Sequence, residues 1–183
     1  MKKILVVLLA VLLFALPVMA QEKDNPIVTN WEGDMEDSFI EKEYAGQFYL
    51  FPDYGIQFLV PAGLDPMELT EEHNENSVFG AFASEEGHSI FAQLLNYGVD
   101  TLEEVAMFEK EQRGDDMHFA GYYVLNGLNA IIFMDSESDV LVANIETSAP
   151  QNFIKITISP ISDENLNALS GYILASIQPY SEE

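Results

Sequence analysis

Apolar residues in this chain mostly fall in short runs set between clusters of turn-forming residues, the spacing of strands. Gln47 to Phe51 and Ile56 to Val60 flank Pro52-Asp53-Tyr54-Gly55 and predict a first hairpin, which Pro61-Ala62-Gly63 ends. Leu64 to Ser77 is polar and predicts a surface loop or short helix. Val78 to Ala83 and His88 to Leu95 pair across Ser84-Glu85-Glu86-Gly87 as a second hairpin. Asn126-Gly127 stands between Met117 to Leu125 and Leu128 to Met134, and its two residues suit the left-handed backbone of a type I′ turn. Val140 to Thr147 and Asn152 to Ser159 extend this pair into a four-stranded meander.

Helical spacing occurs in two places. Asp100 or Thr101, with Glu103 or Glu104 three residues on, forms a capping box, and Gly114 closes the segment after Arg113. Leu102, Val105, Ala106 and Phe108 or Glu109 make its apolar stripe. A final helix begins near Ser162 or Asp163, presents Leu166, Leu169, Ile173 and Ile177 along one face to cover the meander, and ends at Pro179. The expected fold is α+β: a curved antiparallel sheet of hairpins plus a four-stranded meander, antiparallel throughout and covered by two helices, in a single domain over residues 47–180.

The ends differ from this body. Lys2 and Lys3, the apolar run from Ile4 to Val18, and small residues up to Ala20 predict a signal peptide, residues 1–20, cleaved after Ala20. Residue 21 is Gln, not Cys, so the cleaved chain has no thiol to carry a lipid anchor. The run is also shorter than the about 20 apolar residues a membrane span needs. A secreted or periplasmic protein with no stable membrane insertion after cleavage is expected. Residues 21–46 read as an acidic, partly disordered arm, with Trp31, Phe39, Ile40 and Tyr44 as large apolar anchors and Trp31 docking on its own domain.

Charge narrows the partners. The mature chain carries five basic residues against 31 acidic ones, a net −26. Nucleic-acid binding needs lysine and arginine to displace condensed counterions, so that class is excluded. Cysteine is absent, which removes disulfides, thiol nucleophiles and cysteine-bound zinc.

Tyr54-Gly55-Ile56-Gln57-Phe58-Leu59-Val60-Pro61 resembles the opening hairpin of PsbP/Mog1-like domains, whose pattern runs YGF-x-F-x-YP. The order of elements from Gln47 to Gln178 is similar to theirs. Where that family commonly carries Trp after the proline, this chain has Ala62-Gly63-Leu64, and the acidic segment before Gln47 has no matching part. The resemblance implies an accessory or interaction module and transfers no functional residue.

Candidate chemistry is sparse. Asp135-Ser136-Glu137-Ser138-Asp139 alternates three carboxylates suited to a hard cation such as Ca²⁺, and Glu146 falls at the twelfth position of an EF-hand count. Val140 stands where that loop needs glycine, so a solvated hairpin tip is expected, as for the weaker clusters Asp115-Asp116 and Asp34-Met35-Glu36-Asp37. His73, His88 and His118 lack helical zinc spacing, and Glu71, His73 and Glu75 read as an exposed polar loop. Ser89 beside His88 cannot form a dyad, because strand neighbours face opposite ways. No catalytic, metal or cofactor-binding residue is assigned. Phe119, Tyr122, Tyr123 and Phe133, with Tyr97 and Phe91 nearby, form either core or an apolar patch on the sheet face away from the helices. The expected function is a non-enzymatic exported accessory domain that binds another extracytoplasmic protein. The alternatives are a small-molecule or Ca²⁺-binding module and a carboxylate-dependent hydrolase.

Overall fold

A computed structural model describes residues 23, 25–114, 117–162 and 164–180, and the expected signal peptide lies outside them. The large sheet has eight strands in the order β1-β7-β8-β9-β10-β6-β5-β4. They are β1 (Ile27–Thr29), β4 (Asp65–Pro66), β5 (Val78–Ala83), β6 (Ser89–Asn96), β7 (Met117–Leu125), β8 (Leu128–Asp135), β9 (Val140–Glu146) and β10 (Asn152–Ser159). A second sheet, β11-β3-β2, joins β2 (Gly46–Phe51), β3 (Ile56–Pro61) and β11 (Gln178–Pro179). Four helices complete the described fold: α1 (Asp34–Glu41), α2 (Glu71–Glu75), α3 (Leu102–Arg113) and α4 (Glu164–Ser176). The α+β class and the antiparallel meander stand as the sequence indicates.

The local chemistry follows the pattern closely in places. Asn126 and Gly127 both have positive φ, 47° and 90°, and Leu125 pairs with Leu128 across them. At α3, Thr101 accepts from the Glu104 N–H while the Glu104 carboxylate accepts from the Thr101 N–H, the reciprocal capping box.

Four expectations are corrected. The first hairpin does not extend the main sheet but forms the small one, whose inner residues Ile56, Phe58 and Val60 pack on Phe82, Ile90, Ile132, Ile145 and Ile156 of the large sheet. The last helix therefore reaches the meander in company with the small sheet: Ile173 and Leu174 enter this core, while Tyr172 and Ala175 face the other way. The sheet is also not antiparallel throughout, since β1 runs parallel to β7. Finally, the acidic stretch before Gln47 carries elements, β1 and α1. Trp31, 5% exposed, meets Phe39 and Phe48 edge to face and packs in a cluster with Leu59, Tyr172 and Ala175. Its anchors bury enough apolar surface to order a segment whose remaining residues stay in water. Asp34, Glu36 and Asp37 occupy the first turn of α1, where the helix dipole favours negative charge.

Asn126 ties these layers together. Its Oδ1 accepts from the Trp31 N–H at 2.7 Å, and its Nδ2 donates to the carbonyls of Ala175 and Ile177, both at 2.7 Å. A turn residue thereby satisfies carbonyls that the end of α4 would leave unpaired.

Candidate functional site

The two faces of the large sheet differ in chemistry. The face under the small sheet is apolar. The other carries Ile131, Phe133, Val142 and Phe153, on which Leu102 and Val105 of α3 pack. A helix about 10–12 Å in diameter spans only two or three strands spaced about 4.8 Å apart, so one helix leaves much of this face uncovered.

Under α3 lies a charged network. Glu109, 3% exposed, takes the buried position on the stripe that Phe108 would otherwise fill; Phe108 is outside, edge to face with Tyr97. Its Oε1 accepts from Lys155 Nζ at 2.6 Å and from the Tyr97 hydroxyl at 2.6 Å, and its Oε2 accepts from Arg113 Nε at 3.3 Å. Arg113 also donates to Asp135 Oδ2 at 3.1 Å. The single proton of Tyr97 goes to the carboxylate, so the buried Asn144 amide 2.7 Å away is best oriented with its NH₂ toward the phenol oxygen, which pairs the otherwise unsatisfied donor. Burial opposes ionisation of Glu109, but Lys155, Tyr97 and Arg113 outweigh it and hold the carboxyl below its usual range. Burial lowers Lys155, with Glu109 opposing and Arg113 adding to the shift, and raises Tyr97. Two carboxylates and two cations make the network neutral, as a buried cluster must be.

Beside it, between α3 and β7–β8, an open groove encloses about 520 Å³. Ala106, Met107, Met117, Phe119, Tyr122 and Phe133 supply most of its wall, with Glu103, Lys110 and His118 at polar positions. Phe119 and Tyr122 share this face, against strict alternation, because the register of β7 on β8 shifts between Phe119 and Gly121. Tyr123 consequently turns into the opposite core, where burial pushes its hydroxyl up to about 12. The aromatic patch thus lies on a face that α3 partly covers, not on one away from the helices. Glu103 accepts from Lys23 at 2.6 Å; burial would raise its carboxyl, yet the bond from Lys23 leads the influences that hold it below the ordinary range. Burial and the Glu103 charge raise Tyr122.

The other sequence candidates are separate. Asp135 Oδ1 accepts from the N–H groups of Glu137 and Ser138, and Asp139 accepts from the Ile161 N–H and the Ser162 hydroxyl, so these carboxylates organise turns and do not converge with Glu137. His73 Nδ1 accepts from the Thr70 N–H within a one-turn helix, α2, and faces Phe91 at 6.0 Å. Ser89 pairs with Ser159, not with His88. Among the described residues no three His, Asp or Glu side chains cluster as a cation site would require. Asp115 and Asp116 lie outside them.

No family model and no curated protein matches this chain. Solved structures do. The cyanobacterial PsbP protein CyanoP of Synechocystis sp. PCC 6803 aligns with a TM-score of 0.52 at 13% identity, over 74% of this chain and 93% of its own. The fold is PsbP/Mog1-like. The Ran-binding protein Mog1p of Saccharomyces cerevisiae aligns at a TM-score of 0.49 and 12% identity over 73% of this chain and 95% of its own. A Bacteroides thetaiotaomicron protein aligns at 0.44 and 10% over 75% and 49%. At such identities the PsbP/Mog1-like likeness concerns backbone architecture alone. Its opening hairpin is the small sheet, where the apolar motif residues Ile56, Phe58 and Val60 are core.

Sequence reasoning missed the Glu109 network and the groove's polar rim. Single signals existed: Lys155 is the one charged residue in the run Phe153 to Ile158, and Gly121 inside a strand marks a bulge. Nothing local paired Lys155 with Glu109, 46 positions away.

Proposed function

We propose that this protein is a non-enzymatic accessory domain that acts outside the cytoplasm and binds another protein through the groove between α3 and β7. The observation that carries the reading is the groove itself: an apolar trough beside a helix whose Met107 is 62% exposed. An exposed aromatic and methionine-lined surface rimmed by polar groups is the chemistry of protein recognition, and methionine adapts to varied partners. The PsbP/Mog1-like fold supports an accessory role, by analogy of architecture. Among the described residues no helix is long and apolar enough to cross a membrane. The lysine-preceded apolar run at the amino end supports export.

A photo-crosslinking residue at position 107, compared with one at Met67, which is 39% exposed and lines no part of the groove, tests this in the producing cell. A defined protein adduct formed at 107 and not at 67 is expected. Equal or absent adducts at the two positions refute the groove as the binding surface.

A further inference from the structure

Resting on the reading of the groove as an interaction surface, the occupant's chemistry can be taken from the chain itself. Lys23 and Pro26, with Leu102, Tyr122 and Ala130, line a second cavity of about 120 Å³. Tyr122 belongs to both cavities, and the Lys23–Glu103 ion pair stands between them. The two cavities therefore adjoin at Tyr122, on the side where the amino-terminal strap crosses. Just beyond Pro26 the strap becomes β1, adding Ile27, Val28 and Thr29 in parallel to Tyr123, Val124 and Leu125. A cation on a carboxylate, a proline in a cavity whose wall mixes Leu102 and Ala130 with Asn129 and Glu146, and a short strand on a sheet edge are together the features of an extended peptide bound by strand addition.

The strap is held at a few points, Ile27 among them, which packs at the edge of the main core. It pairs over three residues, Val28 is 63% exposed, and the Lys23–Glu103 pair is open to water with side chains 63% and 34% exposed. The chain behind it is fixed: the Asn126 N–H donates to the Thr29 carbonyl, the Trp31 N–H donates to Asn126, and Trp31 is buried. Lifting Lys23 and Asn25 to Val28 about a pivot at Thr29 would withdraw Ile27 from the edge of the main core and leave the Trp31 cluster and the Asn126 bonds in place. Among the described residues, no strand pairs with Met117 to Tyr122 on the edge of β7 away from β8, so a longer strand would gain pairs that the strap does not make.

We propose that Lys23 and the segment Asn25 to Thr29 form an exchangeable strap, and that the groove receives in its place an extended segment of a partner protein presenting lysine or arginine to Glu103 and a β-branched run to the edge of β7, where it takes the place of Ile27. The charge of the whole protein favours this cationic partner. A second copy of the chain, carrying the same net −24, would be repelled.

The test uses a fluorescent synthetic peptide of residues 21–30 and a second peptide with Lys23→Glu, each titrated by anisotropy onto the chain starting at Gln21 and onto its K23A variant. The first peptide is expected to bind both proteins, about two- to fivefold tighter to K23A because the competing exposed ion pair is gone. The Lys23→Glu peptide should bind at least about tenfold more weakly, the loss expected when a like charge faces Glu103. Hydrogen exchange should report the added peptide at Met117 to Leu125. Failure of the first peptide to bind either protein overturns exchange, and equal binding of the two peptides overturns recognition of the cation. Circular dichroism verifies the fold of K23A, and an E103Q protein, which should lose the preference between the peptides, gives an independent reading. Either failure would leave a crosslink through position 107 intact, so loss of the strap mechanism is distinguishable from loss of the groove as an interaction surface.

Discussion

Replacing Lys155 by methionine removes the cation that faces Glu109 across 2.6 Å while keeping the apolar length of the side chain. Glu109 would be left 97% buried with Tyr97 and a more distant Arg113 as its donors. Removing one partner of a buried ion pair costs about 3–5 kcal/mol, because the remaining charge keeps its desolvation penalty. With a urea m-value of about 2 kcal/mol per molar for a domain of this size, the unfolding midpoint should fall by about 1.5–2.5 M. The pair as a whole contributes far less, since two ions leave water to make it. An E109M/K155M double variant should accordingly lie within about 1–2 kcal/mol of the parent, giving a coupling energy of about 2 kcal/mol or more in the double-mutant cycle. In that variant Arg113 keeps Asp135, and the Tyr97 hydroxyl keeps Asn144. Urea unfolding followed by fluorescence of the single tryptophan, Trp31, and by far-ultraviolet circular dichroism measures all four proteins. Trp31 lies in the cluster of α1 and α4, apart from the network, so coincident transitions would show that one cooperative unit is being read. A loss below about 1 kcal/mol in K155M, or a double variant that loses the sum of the singles, would refute the account of a desolvated carboxylate held by its partners.

Asn126→Gly keeps a backbone suited to positive φ but deletes the acceptor for Trp31 and both donors to the end of α4, and should cost about 2–4 kcal/mol with a red-shifted Trp31 emission. Gly80→Ala places a Cβ 2.9 Å from the Phe51 ring where the small sheet meets the large one, and a loss of about 1–3 kcal/mol by thermal melt is expected. The melting temperature should rise as pH falls from about 8 to about 5, because self-repulsion of the net −24 declines, and then drop below about pH 4. The folded-state pKa values of Glu109 and Asp135 lie below their ordinary values, so their stabilisation is fully present above the unfolded pKa and is lost as pH falls through the lower, folded one. E109Q should flatten that acid limb in a melt series across pH, and an unchanged limb would remove Glu109 as its cause.

What the sequence shows well is whatever depends on neighbours in the chain. The turn at Asn126-Gly127, the capping box of Thr101 and Glu104 and the ends of β7 to β10 all follow from residues a few positions apart. The amino-terminal segment is harder because acidic residues swamp its signal, although Trp31, Met35 and Phe39 recur at intervals of four, and all three join the cluster with Tyr172. Parallel addition of β1 to β7 joins residues about a hundred positions apart and leaves no local trace. The groove depends on an inserted residue in β7, which brings Phe119 and Tyr122 to one face, and on how little of that face α3 covers.

The placement of buried charge is itself an argument about use. Beneath the small sheet the core is built from Phe58, Ile90, Ile132, Ile145 and Ile156, and among the described residues it carries no ion pair. Glu109, Lys155, Asp135 and Asn144, four of the buried polar residues, belong to the face under α3 or to its margin. If α3 served only to cover apolar surface, methionine or leucine at positions 109 and 155 would hold it equally well or better. A charged pair instead fixes one position and rotation of the helix, since a small slide separates Glu109 from Lys155 and strands both. That constraint sets Glu103, Met107 and Lys110, on the same helix, against β7 and so sets the width of the groove. Departures from the simplest stable core tend to fall where a protein does its work, and here they lie beside the groove that Glu103, Met107 and Lys110 line.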